Sequence, residues 1–442
     1  MKNTAHLKNI SQKNIMLDIK FIREHPDKVK DAMRSRGADV DVDYLLQLDE
    51  RRRAGIAEVD EMRAQQNEFA AAIAKASAAG RKEKIEESRA VKEKLGHAEF
   101  ELKVLEEEFA ELMRKMPNIP DPETPIGRDE RDNVVVREVG EKPRFGFPPH
   151  DYMAIAEGLG VIDTERAAKV SGSRFGYILG DLARLEFALV QFGFESLVKK
   201  GFIPIIPPVM VRDTMMAGMG YIDTPEDREE RYELEKDKLF LVGTSEQSVA
   251  PMHADEIFDA DELPRRYVAF STCFRREAGS YGKDTKGILR VHQFDKVEMV
   301  SFTKPENSRK EHQFLLAAEE ELMAALKLPY RVVALSTGDI ARPSARTIDI
   351  ETWLPGQNAG KGEYRETHSS SNTTDFQARR LGVKVRTGGR TEFVHILNGT
   401  AFAIGRTLIA IMENYQQEDG SVRIPEVLRE YTGGIKEMRK VP

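Results

Sequence analysis

The 442-residue chain is poor in cysteine, with Cys273 standing alone. That excludes an internal disulfide and any site built on several thiolates, and it fits a reducing compartment. The sequence has no apolar run of the ~18 residues that a membrane-spanning helix needs. It has no G-x-x-x-x-G-K followed by Ser or Thr; Gly356–Gly362 (GQNAGKG) resembles that loop only superficially. A strand–G-x-G-x-x-G–helix fingerprint, a G-x-S-x-G elbow and an H-E-x-x-H pair are also missing. The nine histidines show no metal-ligand spacing. Any nucleotide bound here must therefore have its phosphates held by side chains. Basic charge is not in excess either. With 67 Lys+Arg against 74 Asp+Glu the formal net charge is −7, so a nucleic-acid-binding surface has to be local.

What is present divides the chain. Apolar residues make up 40 % and charged residues 32 %, against about 45–50 % and 25 % in typical proteins. There is enough apolar content for a core, and the charge excess calls for a long solvated element. Residues 1–15 are polar and lack the apolar stretch of a secretory signal; they read as a flexible extension. A helix-like Asp27–Met33 follows. From Leu45 apolar residues step by threes and fours through Val59, Met62, Phe69 and Ile73 to Ala76. The stripe breaks at Ala78–Ala79–Gly80 and resumes from Ile85 through Leu95, Leu102 and Phe109 to Met116. Two stripes of equal length around a short break predict an antiparallel helical hairpin at about 45–116, each helix roughly 50 Å long. Pro117, Pro120, Pro122 and Pro125 end it, which puts a first domain at 16–125 and a second at 126–442.

The second domain has a different texture. Asp181–Lys199 and Arg309–Leu326 have helical period, as does Ala401–Tyr415. Extended runs are predicted at Lys238–Gly243, Tyr267–Glu277, Gly287–Phe302, Arg331–Leu335, Arg346–Trp353 and Glu392–Thr400. They do not alternate regularly with helices, so an α+β fold is expected, an antiparallel sheet flanked by helices. Within Phe274–Glu298 (FRREAGSYGKDTKGILRVHQFDKVE), alternation puts Arg275 and Glu277 on one strand face. It puts Arg290, His292, Phe294, Lys296 and Glu298 together on the next. Spacing alone leaves that face open between a ligand floor and a solvated surface of ion pairs. The same holds for three further clusters. Glu366–Asn372 (ETHSSSN) offers oxygen ligands for Mg²⁺ or a polar turn. Leu397–Arg406 (LNGTAFAIGR) offers an arginine for a phosphate or ring, or a helix cap. Gly243–Glu246 (GTSE) offers a hydroxyl and a carboxylate for a small polar ligand, or an N-cap box.

The order of these clusters carries more than any one of them. A Pro-bearing run after a helix, then FRREAG…RVHQFDKVE, then LNGTAFAIGR before a late helix resembles the three motifs of class II aminoacyl-tRNA synthetases. Within that class the chain is similar to the bacterial-type seryl-tRNA synthetases from about Met16 onward. Thr244–Glu246, Gly282–Gly287, Asp349–Trp353, Glu366–Arg380, Glu413–Gly420 and Ile424–Arg429 add to the match, and the hairpin corresponds to that family's N-terminal arm.

The resemblance implies two steps: serine and ATP give seryl-adenylate and pyrophosphate, then the seryl group moves to the 3′ end of tRNA(Ser), with tRNA(Sec) a further acceptor. As catalytic residues it implies Arg275 on the α-phosphate, Glu277 on the adenine and Arg406 stacked on the adenine opposite Phe294. It places Thr244, Ser245, Glu246, Arg275, Glu298, Asn398 and Thr400 around the serine, and adds Arg276, Glu366, Thr367, His368 and Ser369 to the ATP site. Glu366 and Ser369 would hold Mg²⁺; the lone Cys273 argues against zinc. The arm would grip tRNA by shape, with Arg51, Arg53, Arg63, Lys75, Arg81 and Lys92 as candidate phosphate contacts. A cytoplasmic homodimer is implied, with Pro208 in the dimer-forming motif and no membrane partner. Departures from the family pattern are TSE where TAE is common, few glycines in Gly338–Arg346, an insertion at Ala359–Glu363, and no cysteine near Ser370 and Thr373. A relative loading a carrier protein would lack the arm, and a non-catalytic paralogue would lack the motif arginines. Both features are present here.

Overall fold

The computed structural model describes residues 17–278 and 287–440. The extension at 1–15 and most of the Gly279–Gly287 turn lie outside the described residues. The chain divides into two compact units, one ending at Pro117 and the other beginning at Asn118.

The first unit contains α1 (Ile19–Glu24), α2 (Pro26–Ser35), α3 (Val42–Lys75) and α4 (Ala78–Lys115). Helix α2 starts with a proline at its first position and contains the expected Asp27–Met33. Helix α3 is capped by Asp41, whose side chain accepts the Tyr44 N–H at 2.9 Å. Helices α3 and α4 form the expected hairpin. Leu45, Leu48 and Val59 of α3 and Leu95, Phe109 and Met113 of α4 are among its buried residues. Polar contacts tie the two helices: Arg63 Nη2 lies 2.6 Å from Glu99, and the Arg52 guanidinium sits 4.8 Å above the Phe109 ring. The break falls at Ala76 and Ser77, both in extended backbone, and not at Ala78–Gly80. Gly80 lies inside α4 because a glycine at non-positive φ costs a helix only about 1 kcal/mol, too little to end it.

The Pro-rich run 118–125, expected with the arm, hydrogen-bonds within the second unit. Asn118 N–H donates to Arg342 O at 2.9 Å, and Asp121 N–H to Ala345 O at 2.9 Å. Proline removes donors from this run, and the few N–H groups left are satisfied here.

An eight-stranded sheet organises the second unit. Its strands are β1 (Val134–Val139), β2 (Ile203–Ile205), β3 (Arg265–Phe274), β4 (Gln293–Thr303), β5 (Tyr330–Ala334), β6 (Arg346–Leu354), β7 (Glu363–Asn372) and β8 (His395–Ala403), in the order β1-β5-β6-β7-β8-β4-β3-β2. Every pairing is antiparallel except β2 with β3. Helices α5 (Gly180–Val198), α6 (Glu246–Val249), α7 (Ser308–Leu326), α8 (Phe376–Leu381) and α9 (Ile404–Asn414) complete the part that matters for the site. Leu185, Leu189 and Phe192 of α5, Leu315 and Leu322 of α7 and Leu408 and Ile411 of α9 share one core with Val297, Met299 and Phe402 of the sheet. A second core joins Val300, Phe302 and Ile396 to Val249 of α6 and Ala378 and Leu381 of α8. Strand β4 thus changes character along one face, from Phe294, Lys296 and Glu298 to Val300 and Phe302. The polar end of that face carries the site.

Three expected strand limits move. Strand β3 stops at Phe274, so Arg275 and Glu277 follow it and do not alternate within it. Strand β4 starts at Gln293, which leaves Arg290 and His292 in the preceding loop. Strand β8 runs on to Ala403, so α9 begins three residues later than the period suggests, at Ile404 and not Ala401. The strand continues because its pairing with β4 runs on to Lys296↔Ala403, and α7 packs close behind Gly399. The insertion Ala359–Glu363 forms a tight turn with Asn358 and Ala359 both at positive φ.

Candidate active site

A cavity of about 390 Å³ opens on the polar end of the sheet face. Arg275 is fixed at its edge by the hairpin itself: its N–H donates to His292 O at 3.0 Å, and His292 Nδ1 lies 3.0 Å from Arg275 O. The Arg275 Nε–H donates to Gly243 O at 3.1 Å, and its guanidinium lies 5.2 Å from the Phe294 ring centroid. Glu277 adopts φ +54°, a strained conformation for a non-glycine residue, and its carboxylate lies 3.5 Å from Arg290 Nε. Across the cavity, Arg406 Nη1 lies 3.1 Å from the Glu366 carboxylate and donates to Glu366 O at 2.9 Å. Loss of solvent pushes the Glu366 carboxyl up, but the Arg406 guanidinium, with Arg275 and Lys296 beyond it, outweighs this and holds it below its ordinary range. Half of that side chain remains exposed. An ionised, accessible carboxylate and the Ser369 hydroxyl, both on the cavity wall, are oxygen donors of the kind Mg²⁺ accepts when phosphates complete its shell. Among the described residues no group of three His, Cys, Asp or Glu has metal-binding geometry.

The other part of the wall comes from α6 and its neighbours. Glu246 is buried, with Gln377 Nε2 donating to one carboxylate oxygen at 2.6 Å and the Tyr221 hydroxyl donating to the other at 3.2 Å. Burial pushes this carboxyl up to about 7. Helix α8 carries Gln377, and a buried bidentate pair, Arg380 to Asp223 at 2.6 and 2.7 Å, ties α8 to the Tyr221 segment. Gly220, at φ +83°, makes the turn into Tyr221 where any Cβ would lie 2.8 Å from Phe376. Lys296 Nζ ion-pairs with Glu298 and donates to Thr244 Oγ1 at 3.4 Å.

The structure brings together Arg275, Glu277, Phe294, Thr244, Glu246, Asn398, Thr400, Glu366, Thr367, Ser369 and Arg406 around the cavity. Four expected residues are not on its wall. Ser245 is buried with its hydroxyl 2.8 Å from Ser271, so it neither faces the cavity nor caps α6. His368 is fully buried, with its Nδ1 2.8 Å from Thr367 Oγ1 and its ring packed on Phe402, where a register shift in β7 interrupts the alternation. Arg276 is exposed, its guanidinium 5.2 Å from the Tyr232 ring. Glu298 is 1 % exposed beside Lys296, which does line the wall. The wall also contains Tyr221 and Arg231, which no motif announced, and Ala341 and Ser344 of the loop 338–346. Lys296 was marked by strand alternation and Gln377 lies within the matching stretch Glu366–Arg380, whereas Tyr221 and Arg231 left no sequence signal.

An antiparallel sheet carrying one arginine at a hairpin base and another at the head of a following helix defines a class II aminoacyl-tRNA synthetase core. Residues 230–415 match the family described as tRNA synthetase class II core domain (G, H, P, S and T), and residues 16–120 match the seryl-tRNA synthetase N-terminal domain. The serine–tRNA ligase of Rubrobacter xylanophilus is 45 % identical over 421 residues, covering 95 % of this chain and 98 % of that protein. Among solved structures, seryl-tRNA synthetase from Pyrococcus horikoshii complexed with ATP superposes with a TM-score of 0.87 at 41 % identity, covering 97 % of this chain and 100 % of that one. Cytoplasmic serine–tRNA ligase from Naegleria fowleri in complex with AMP gives 0.84 at 35 % identity, covering 97 % and 99 %. The chain belongs to the seryl-tRNA synthetase family, the serine–tRNA ligases of class II.

Proposed function

We propose that this chain activates L-serine with ATP in the cavity described and transfers the seryl group to the 3′ end of tRNA(Ser). A serine carboxylate oxygen attacks the α-phosphorus, the bond to the β-phosphate breaks, and pyrophosphate leaves. A terminal ribose hydroxyl of the tRNA then attacks the acyl carbon, and AMP leaves. Both steps are mostly the positioning of bound reactants. Arg275 meets the charge that develops on the α-phosphate, for which a guanidinium has the right sign and geometry. Phe294 and Arg406 take the two faces of the adenine, and Glu277 takes its edge. Glu246 accepts the serine ammonium. Thr244, Asn398 and Thr400 offer polar groups to the rest of the amino acid, with Glu298 acting through Lys296. A site that hydrogen-bonds the hydroxyl rejects alanine by roughly 10⁴–10⁵. Mg²⁺ held by Glu366 and Ser369 would neutralise phosphate charge when bound.

The observation that carries this reading is one cavity lined both by Arg275, Arg406 and an ionised Glu366 and by Glu246, Thr244, Asn398 and Thr400. Serine-dependent ATP–pyrophosphate exchange, run across a panel of amino acids, tests it. Serine should stand alone, and Arg275→Ala should lower exchange by at least about 10²-fold with the fold intact. Near-normal exchange in that variant would reject the role.

The arm supplies the tRNA contact, supported by exposed Arg51, Lys75, Arg81 and Lys92 along the hairpin. Arg63 is engaged with Glu99 and Arg53 with Asp49, which leaves those two less suited to phosphates. Because such an arm reads RNA shape, tRNA(Sec) is proposed as a second acceptor, to be checked by charging a transcript. Homodimerisation near Pro208 is supported by the exposed Phe187, Ile203 and Ile206. The need for tRNA and ATP places the work in the cytoplasm. No helix among the described residues is long and apolar enough to cross a membrane.

A further inference from the structure

Arg231 stands out among the wall residues that the proposed mechanism does not use. Its backbone is held from both sides. The preceding Glu230 O accepts the Arg276 N–H at 3.1 Å, and the following Tyr232 O accepts the Leu241 N–H at 2.9 Å. The side chain lines the cavity with its guanidinium 5.2 Å from the Tyr221 ring. No carboxylate among the described residues pairs with it, and its Nε is buried without a hydrogen-bond partner. Arg231 and Arg275 flank the same glycine: a Cβ built on Gly243 would lie 3.6 Å from Arg231 Nη1 and 3.5 Å from Arg275 Cγ. Burial and then the Arg275 charge lower the Arg231 pKa. Two neighbouring guanidiniums, one of them largely desolvated and unpaired, are costly until an anion enters between them. Tyr221, beneath Arg231, donates to Glu246, the group that takes the ammonium. The ammonium and carboxylate of an α-amino acid share one carbon, so the groups that hold them must be neighbours.

We infer that Arg231 is a further substrate-binding residue, whose guanidinium joins Arg275 in holding the carboxylate of the amino acid while it attacks. The inference rests on the reading of this cavity as the serine and ATP site. Arg231→Gln removes the charge and keeps much of the bulk over Tyr221. In pyrophosphate exchange with the full chain it should raise the KM for serine by about tenfold or more, as loss of a charged hydrogen bond does, with the KM for ATP within about twofold. Serinamide keeps the ammonium and the hydroxyl but has a neutral amide for the carboxylate. Its inhibition constant against serine should stay within about twofold, and Arg231→Lys should recover part of the serine KM. An unchanged serine KM in Arg231→Gln would overturn the inference. So would a parallel rise of the serine KM and the serinamide constant, the signature of a residue that only supports Tyr221 and Glu246. Wild-type chain exchanging a different amino acid would overturn the reading of the cavity, and this inference with it.

Discussion

Burial raises the Glu246 carboxyl from 4.5 to about 7, against the donors Gln377 and Tyr221, which pull it down. Two pH effects follow. Below pH 7 the carboxyl is largely protonated and cannot pair with an ammonium, so the KM for serine should fall as pH rises from 6 to 8, and Glu246→Gln should raise it and flatten the profile. A carboxyl raised in the folded state adds stability that is complete below pH 4.5 and is lost as pH rises through 7. Thermal unfolding without substrate should therefore show Glu246→Gln gaining on the wild type across that window. Glu319 of α7 is a second buried carboxyl, fully enclosed, with neither oxygen hydrogen-bonded; burial, then Glu298 and Asp349, raise it well above its ordinary value. Burial therefore favours its neutral form, and Glu319→Gln, which mimics that form, should leave the melting temperature almost unchanged. A Cβ on Gly399 would come within 2.9 Å of Glu319 Oε1. Gly399→Ala should therefore cost about 1–3 kcal/mol in denaturant unfolding, and it should also impair exchange because Asn398 and Thr400 flank it.

At the scale of elements, periodicity was a good guide to existence and a poor one to ends. The heptad stripes located both arm helices, because burial against a single partner writes itself into residue spacing. Their junction was misplaced because Gly80 is the stronger breaker by residue type, yet it is helical, while the break falls at Ala76 and the N-cap Ser77. Gly96 lies in the middle of α4, where an added Cβ would meet nothing within 4 Å and φ is not positive. Gly96→Ala should stabilise the arm by about 1 kcal/mol, measured by thermal unfolding. In the hairpin β3–β4, alternation correctly grouped Phe294, Lys296 and Glu298 but failed for Arg275 and Glu277. Those two are aimed by the backbone hydrogen bonds of Arg275 to His292 and of the intervening Arg276 to Glu230, and by a positive φ at Glu277, which no two-residue period encodes.

The whole molecule joins a long charged hairpin to a compact sheet-based unit. The boundary at Pro117 predicts that the two can be separated functionally. Replacing the hairpin between Val42 and Lys115 by a short linker should spare serine-dependent pyrophosphate exchange and raise the KM for tRNA steeply; an unchanged tRNA KM would reject the arm's role. Composition, the lone cysteine, the two stripes and the order of the arginine-bearing segments belong to the sequence by itself. They pointed to the fold class, the arm and eleven of the residues that line the cavity, because each is written in local spacing or in the order of local motifs. Only the tertiary structure decided which of those side chains face one another. Gln377 reaches Glu246 across 131 residues and Arg380 reaches Asp223 across 157, so the acidity of Glu246 and the place of Tyr221 and Arg231 come from contacts between distant segments. Such contacts depend on packing geometry rather than on period, and so the sequence passed over Arg231, while Ser245 and His368 matched motifs and point elsewhere.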